Sequence, residues 1–182
     1  MKKWYVIFTR HGYEDKVKKL INRYFFRYDI DIIVPKKKIT ERKNGKSSEV
    51  VKNIFPGYVF VNIELNKEIY YKFKELMSFA SFLKEDSKPA SVLYDEIKII
   101  FNLIGKNDMI EISKGINVGG KIEIIDGPLK GYEGLILKID KRKERAKIRL
   151  DIAKHTKIVD VGLHIIKGND KESSDIANFK IS

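Results

Sequence analysis

Residues 4–8 alternate strictly, with Trp4, Val6 and Phe8 on one face and Tyr5 and Ile7 on the other, which predicts a first strand buried on both sides. After the His11-Gly12 break, Tyr13, Val17, Leu20, Ile21, Tyr24 and Phe25 recur at helical spacing between lysines and Arg23. An amphipathic helix is expected there. Residues 30–34 form a short strand, and residues 39–53 contain Asn44-Gly45, the strongest short-range hairpin signal, between two basic arms. Pro56-Gly57 makes a turn into a β-rich strand over residues 58–63. Asn66 caps a second helix whose buried face is Ile69, Tyr70, Phe73, Leu76 and Met77. Residues 79–83 add a strand, and Ile97, Ile100, Phe101 and Ile104 mark a third helix.

The pattern then changes period. Ile122 and Ile124, then Leu135, Leu137 and Ile139, then Ile148, Leu150 and Ile152 alternate with polar residues, and a last strand covers roughly residues 156–161. Gly119, Gly127, Gly131 and Gly134 fall where such short strands must bend. Four to five strands in about 55 residues describe a small SH3-like barrel. The fold class expected is α+β: an N-terminal sandwich of helices on a mainly antiparallel sheet over residues 1–105, then a β-barrel over 116–168. Residues 106–115 read as a polar linker with a short apolar interruption at 109–112, and 169–182 as a frayed tail. The β-branched alternation at 148–152 and the glycines oppose a helical form of this second half.

Composition narrows the function. The 182 residues carry no cysteine, 43% hydrophobic residues and a net charge of +12. A disulfide framework and a thiolate zinc site are excluded, and no apolar run approaches the roughly 20 residues that span a bilayer. The start MKKWYVIFTRHG breaks too soon for a signal peptide, so a cytoplasmic protein is expected. Both parts are basic, with 21 cations against 13 acids before residue 106, and such a balance points to nucleic acid.

Catalysis has no support in the motifs. His11, His155 and His164 lack ligand spacing, no nucleophile elbow, Walker or dinucleotide sequence is present, and Glu14-Asp15, Glu85-Asp86 and Asp95-Glu96 are explained by capping and solvation. Neither enzyme activity nor a cofactor or metal is expected.

Three stretches, WYVIFTRHGYEDKV at 4–17, IFPGYVFVNI at 54–63 and VGGKIEIIDGPLKGYEGLI at 118–136, together resemble the NusG family. The resemblance covers both halves in order and implies an N-terminal NGN domain and a C-terminal KOW domain. It implies a transcription elongation factor whose hydrophobic depression around Phe55, Pro56 and Tyr58 receives the clamp helices of RNA polymerase. Arg10 and His11 inherit a place toward the upstream DNA. Where housekeeping members carry Phe-Gly before the final KOW strand, this chain has Ile152-Ala153, which sets it apart from partnerships with Rho or the ribosome.

Residues 138–157 hold nine cations, Lys138, Lys141, Arg142, Lys143, Arg145, Lys147, Arg149, Lys154 and Lys157, against three acids. With His155 they form a candidate RNA-binding edge, suited to a phosphate-lined RNA hairpin in an operon leader. This resembles the specialised antiterminator branch of the family, of the LoaP type. The expected partners are RNA polymerase, a leader RNA hairpin and upstream DNA, with no membrane, for a monomer. The alternatives are a housekeeping factor coupling polymerase to Rho or the ribosome, and a ribosome-associated KOW protein. A second basic run, Lys36 to Lys38 with Arg42, Lys43 and Lys46, reads equally as a contact to DNA or polymerase and as a solvated hairpin.

Overall fold

The computed structural model describes residues 1–166 and is α+β, as the patterning predicts. The elements run β1 (Lys3–Thr9), α1 (Glu14–Tyr24), β2 (Asp31–Ile33), β3 (Lys36–Lys43), β4 (Lys46–Asn53), β5 (Tyr58–Ile63), α2 (Lys67–Leu76) and β6 (Ala80–Phe82). Three two-residue strands follow, β7 (Lys84–Glu85), β8 (Lys88–Pro89) and β9 (Ser91–Val92), and then α3 (Tyr94–Ile104). The remainder is β10 (Met109–Ile110), β11 (Ser113–Val118), β12 (Lys121–Asp126), β13 (Ile136–Asp140), β14 (Arg145–Ile152) and β15 (His155–Ile166). The expected tail at 169–182 lies outside the described residues. No helix among these is long and apolar enough to cross a membrane.

β1 is the centre of the first sheet, antiparallel to β5 on one side and to β6 and β9 on the other, with β2 beyond β5. Alternation along β1 and β5 sends neighbours to opposite faces. Ile7, Val59, Val61 and Ile63 pack with Val17 and Ile21 of α1, with Phe25 just after it, and with Ile69 and Phe73 of α2. Val6 and Phe60 face the other way, onto Ile97, Ile100 and Ile104 of α3. Trp4 meets Phe101 edge-on at 5.2 Å. The ends of the expected apolar stripes are less covered: Phe8, Tyr13, Tyr24 and Phe101 stay exposed, and Leu103 takes the buried place on α3.

Two local signals act as read. Asn44 and Gly45 both have positive φ, 51° and 75°, which closes the β3–β4 hairpin with the twist its strands require. The Asn66 side chain accepts the Ile69 N–H at 2.8 Å. Asn66→Ala is expected to cost about 1 kcal/mol, read as a lower urea midpoint with an unchanged slope.

The linker is where structure departs from expectation. Met109 and Ile110 form β10, which pairs parallel with Lys36 and Lys37 of β3, and Ser113 already starts β11. Burying Ile110 explains this: the apolar interruption in a polar stretch is the part that enters the core. The last five strands order as β12-β11-β15-β14-β13, with β11 parallel to β15. Ala146, Ile148, Leu150 and Ile152 fill this barrel with Val159, Val161 and Leu163. The same buried cluster continues without a break into Phe55, Tyr58 and Phe60, so the barrel is seated on the N-terminal domain.

Candidate polymerase and nucleic-acid interface

The Phe55-Pro56-Gly57-Tyr58 turn is built like a type II turn. Proline fixes its first corner, Gly57 at φ 83° takes the second, and the Tyr58 N–H donates to the Phe55 carbonyl at 3.0 Å. A β-carbon at Gly57 would stand 2.7 Å from the Thr9 carbonyl oxygen, so glycine is required by space as well as by conformation. The Gly57 carbonyl accepts the Thr9 N–H at 2.8 Å, and the Gly57 N–H donates to the Glu14 carboxylate at 2.6 Å. The end of β1, the start of α1 and the turn are thus fastened at one point.

Glu14 is the residue that sequence reasoning missed. As an acid at a helix start it was expected to be solvated, yet it is 1% exposed. Its acceptor role to Gly57, 43 residues away, leaves no local signal. Burial pushes its carboxyl upward, but the Gly57, Asn53 and Gly12 hydrogen bonds and that of its own backbone N–H outweigh this and hold it below the usual value. His11 Nδ1 lies 3.5 Å from the same carboxylate. Arg10 and His11 are exposed and, with Phe8 and Phe79, line an open cleft beside the turn.

The aromatic surface of the turn is covered. Phe55 and Tyr58 are only 4% and 7% exposed, and Pro56 alone reaches solvent. The barrel supplies the cover. Lys157 Nζ stands 4.9 Å over the Tyr58 ring, and Ile158, Val159 and Asp160 of β15 border the turn together with Lys37. Three further contacts hold the barrel in place. Arg145 donates to the Thr40 carbonyl at 3.2 Å, Lys154 pairs with Glu85 at 2.7 Å, and Glu96 accepts the backbone N–H groups of both Ala153 and Lys154.

That last contact explains an unusual turn. Ala153 and Lys154 sit at φ 47° and 66°, where non-glycine residues are disfavoured. Glu96, whose carboxylate also accepts the Leu93 N–H at the start of α3, offsets the strain by taking both N–H groups the turn presents.

The candidate RNA residues divide into two groups. Lys138, Lys141, Arg142 and Lys143 project from β13 and the following turn, exposed and without an ion-pair partner among the described residues. Lys147 and Arg149 are exposed on β14 and are engaged by Asp160 at 3.0 Å and Asp151 at 3.4 Å. Arg145, Lys154 and Lys157 instead touch the N-terminal domain, and His155 is exposed at the β14–β15 turn. No cluster of three or more histidine or acidic side chains able to hold a metal ion occurs among the described residues.

The family described as "Transcription termination factor nusG" matches residues 2–101, more than half of the chain, and the KOW motif matches residues 118–149. The chain is 27% identical over 176 residues to the transcription termination/antitermination protein NusG of Rickettsia typhi, covering 93% of this chain and 92% of that protein. It is 30% identical over 155 residues to the protein of the same name from Bacillus subtilis, covering 81% and 87%. Among solved structures it is similar to that described as "Domain interaction in Thermotoga maritima NusG", with 26% identity, a TM-score of 0.54 and coverage of 89% of this chain and 94% of that one.

Proposed function

Because the chain belongs to the NusG family of transcription factors, we propose that it is a processive antiterminator that joins RNA polymerase to a leader RNA. Phe55, Pro56 and Tyr58 bind the clamp helices, Arg10 and His11 lie toward upstream DNA, and the basic edge of the KOW barrel binds an RNA hairpin. The observation that carries this reading is the set Lys138, Lys141, Arg142 and Lys143, exposed at the end of β13 and on the turn after it and without ion-pair partners among the described residues. Nothing in the folding of a 50-residue barrel calls for four free cations together, whereas each phosphate they neutralise releases counterions. Clamp binding requires the barrel to leave the turn first, since Phe55 and Tyr58 are covered.

A second reading, a general factor coupling polymerase to Rho or the ribosome, is favoured by the relatives, which carry the general name NusG. Against it stands the 152–155 turn, where Ile152-Ala153 replaces the Phe-Gly pair and both residues are buried.

Single-round transcription separates the two. With cognate polymerase, read-through of an intrinsic terminator is expected behind the native leader only, and is lost when Lys141, Arg142 and Lys143 become alanine. Equal effects behind native and scrambled leaders establish the general factor instead.

A further inference from the structure

Two basic segments about a hundred residues apart face each other once the barrel is seated. The tip of the β3–β4 hairpin brings Arg42 and Lys43, the β13–β14 turn brings Arg142 and Lys143, and with Arg145 they line an open cleft of about 540 Å³. Of the acids there, Glu41, itself in the cleft wall, is engaged by Lys52 and Arg145, Glu144 by Arg42 and His164, and Asp140 accepts the backbone N–H of Lys143 at 3.0 Å. Lys43, Arg142 and Lys143 have no ion-pair partner among the described residues, and Arg145 Nε is buried without an acceptor. Further along the same seam Lys37 is half-buried. Its ammonium is pushed below the usual lysine range by burial, and Arg145, Lys52 and Lys147 push it further while Asp160 opposes them. Cations gathered this way repel one another, and the repulsion turns into attraction when an anion lies between them.

We propose that this seam is a composite binding site for the phosphate backbone of a single-stranded nucleic acid, with one wall from the N-terminal hairpin and the other from the barrel. It rests on the reading that the barrel's basic edge contacts nucleic acid, and adds the second wall. A groove with cations on both walls tracks the backbone of one strand, as in proteins that hold single strands without sequence preference. None of the lining residues is aromatic, so the contact is to phosphates rather than to stacked bases, and it tolerates any sequence. Both walls exist together only while the barrel is seated, so a bound strand stabilises that arrangement and opposes the uncovering of Phe55 and Tyr58.

The test uses the full chain and a fluorescein-labelled oligomer of about 20 nucleotides as RNA, as DNA and as duplex DNA, with anisotropy read at rising salt. Arg42→Ala/Lys43→Ala and Arg142→Ala/Lys143→Ala are each expected to weaken single-strand binding about tenfold and to lower the log–log salt slope by roughly 1.4. Lys67→Ala/Lys74→Ala, an exposed pair on α2, changes affinity less than about twofold. RNA and DNA lose affinity alike, as backbone contact demands; a loss with RNA alone assigns the contacts to 2′-hydroxyls and overturns the proposal. A hairpin pair that leaves affinity and slope unchanged while the barrel pair lowers both also overturns it, and leaves the barrel's RNA edge standing. If neither pair matters, both readings fall. Equal losses on duplex and single strand defeat the assignment to one strand.

Discussion

Gly162→Val is expected to lift the barrel off the N-terminal domain and to raise the affinity for core polymerase. A β-carbon at 162 would stand 2.7 Å from the Lys38 carbonyl oxygen and 2.8 Å from Ile112 Cγ1. The Lys38 oxygen belongs to backbone held in register by Val51 of β4, so it does not yield as a flexible side chain does. Overpacking of this kind costs about 1–3 kcal/mol. The clash lies across the seam, while Val159, Val161 and Leu163 keep their places inside the barrel, so the cost falls on seating rather than on the barrel's own fold. A coupling of that size corresponds to roughly 5- to 150-fold in affinity for a partner that needs the surface free. Polymerase binding should rise within that range, and small-angle scattering should report a larger radius of gyration. An unchanged radius together with unchanged polymerase affinity would sink the view that the barrel masks Phe55 and Tyr58.

Glu14→Ala carries the largest expected loss of stability outside the apolar core. It leaves the Gly57 N–H without its acceptor inside the turn, at about 1–3 kcal/mol, and adds the cost of an emptied buried site. At about 2–4 °C per kcal/mol for a chain of this size, the thermal midpoint should fall by roughly 5–10 °C. Glu14→Gln keeps an acceptor oxygen and should lose less. The pH dependence has a definite sign. The folded-state value of Glu14 is depressed, so its stabilisation is complete above the unfolded carboxylate value of about 4.3 and is lost as the pH falls through the lower folded value. Urea unfolding between pH 6 and 3 should therefore show an acid loss in the native protein that is smaller in Glu14→Gln. Identical acid profiles would mean that the carboxylate charge does not hold the turn.

Much of the fold was legible because the signals are local. Asn44-Gly45 specifies a turn by backbone conformation alone, Asn66 finds its acceptor role three residues away, and period-two runs such as 148–152 declare a half-buried strand. The family was legible too, since WYVIFTRHGYEDKV, IFPGYVFVNI and VGGKIEIIDGPLKGYEGLI fall in order along the chain. Stretches 106–115 and 152–155 were harder. Their structure comes from distant partners, Lys36 and Lys37 for β10 and Glu96 for the turn at Ala153, and no spacing within the stretch encodes those.

The sequence by itself determined the three helices, the longer strands outside 106–118, the two-part organisation and the sign of the charge, because each follows from periodicity, turn chemistry or counting. Tertiary structure alone decided what the candidate surfaces face. It covered Phe55 and Tyr58 with β15, buried Glu14 under Gly57, and set Arg42 and Lys43 opposite Arg142 and Lys143. The physical reason is that burial and charge pairing are properties of side chains brought together from separations of 43 to about a hundred residues. Over such distances the chain carries the chemistry of each partner but no pattern that names the other.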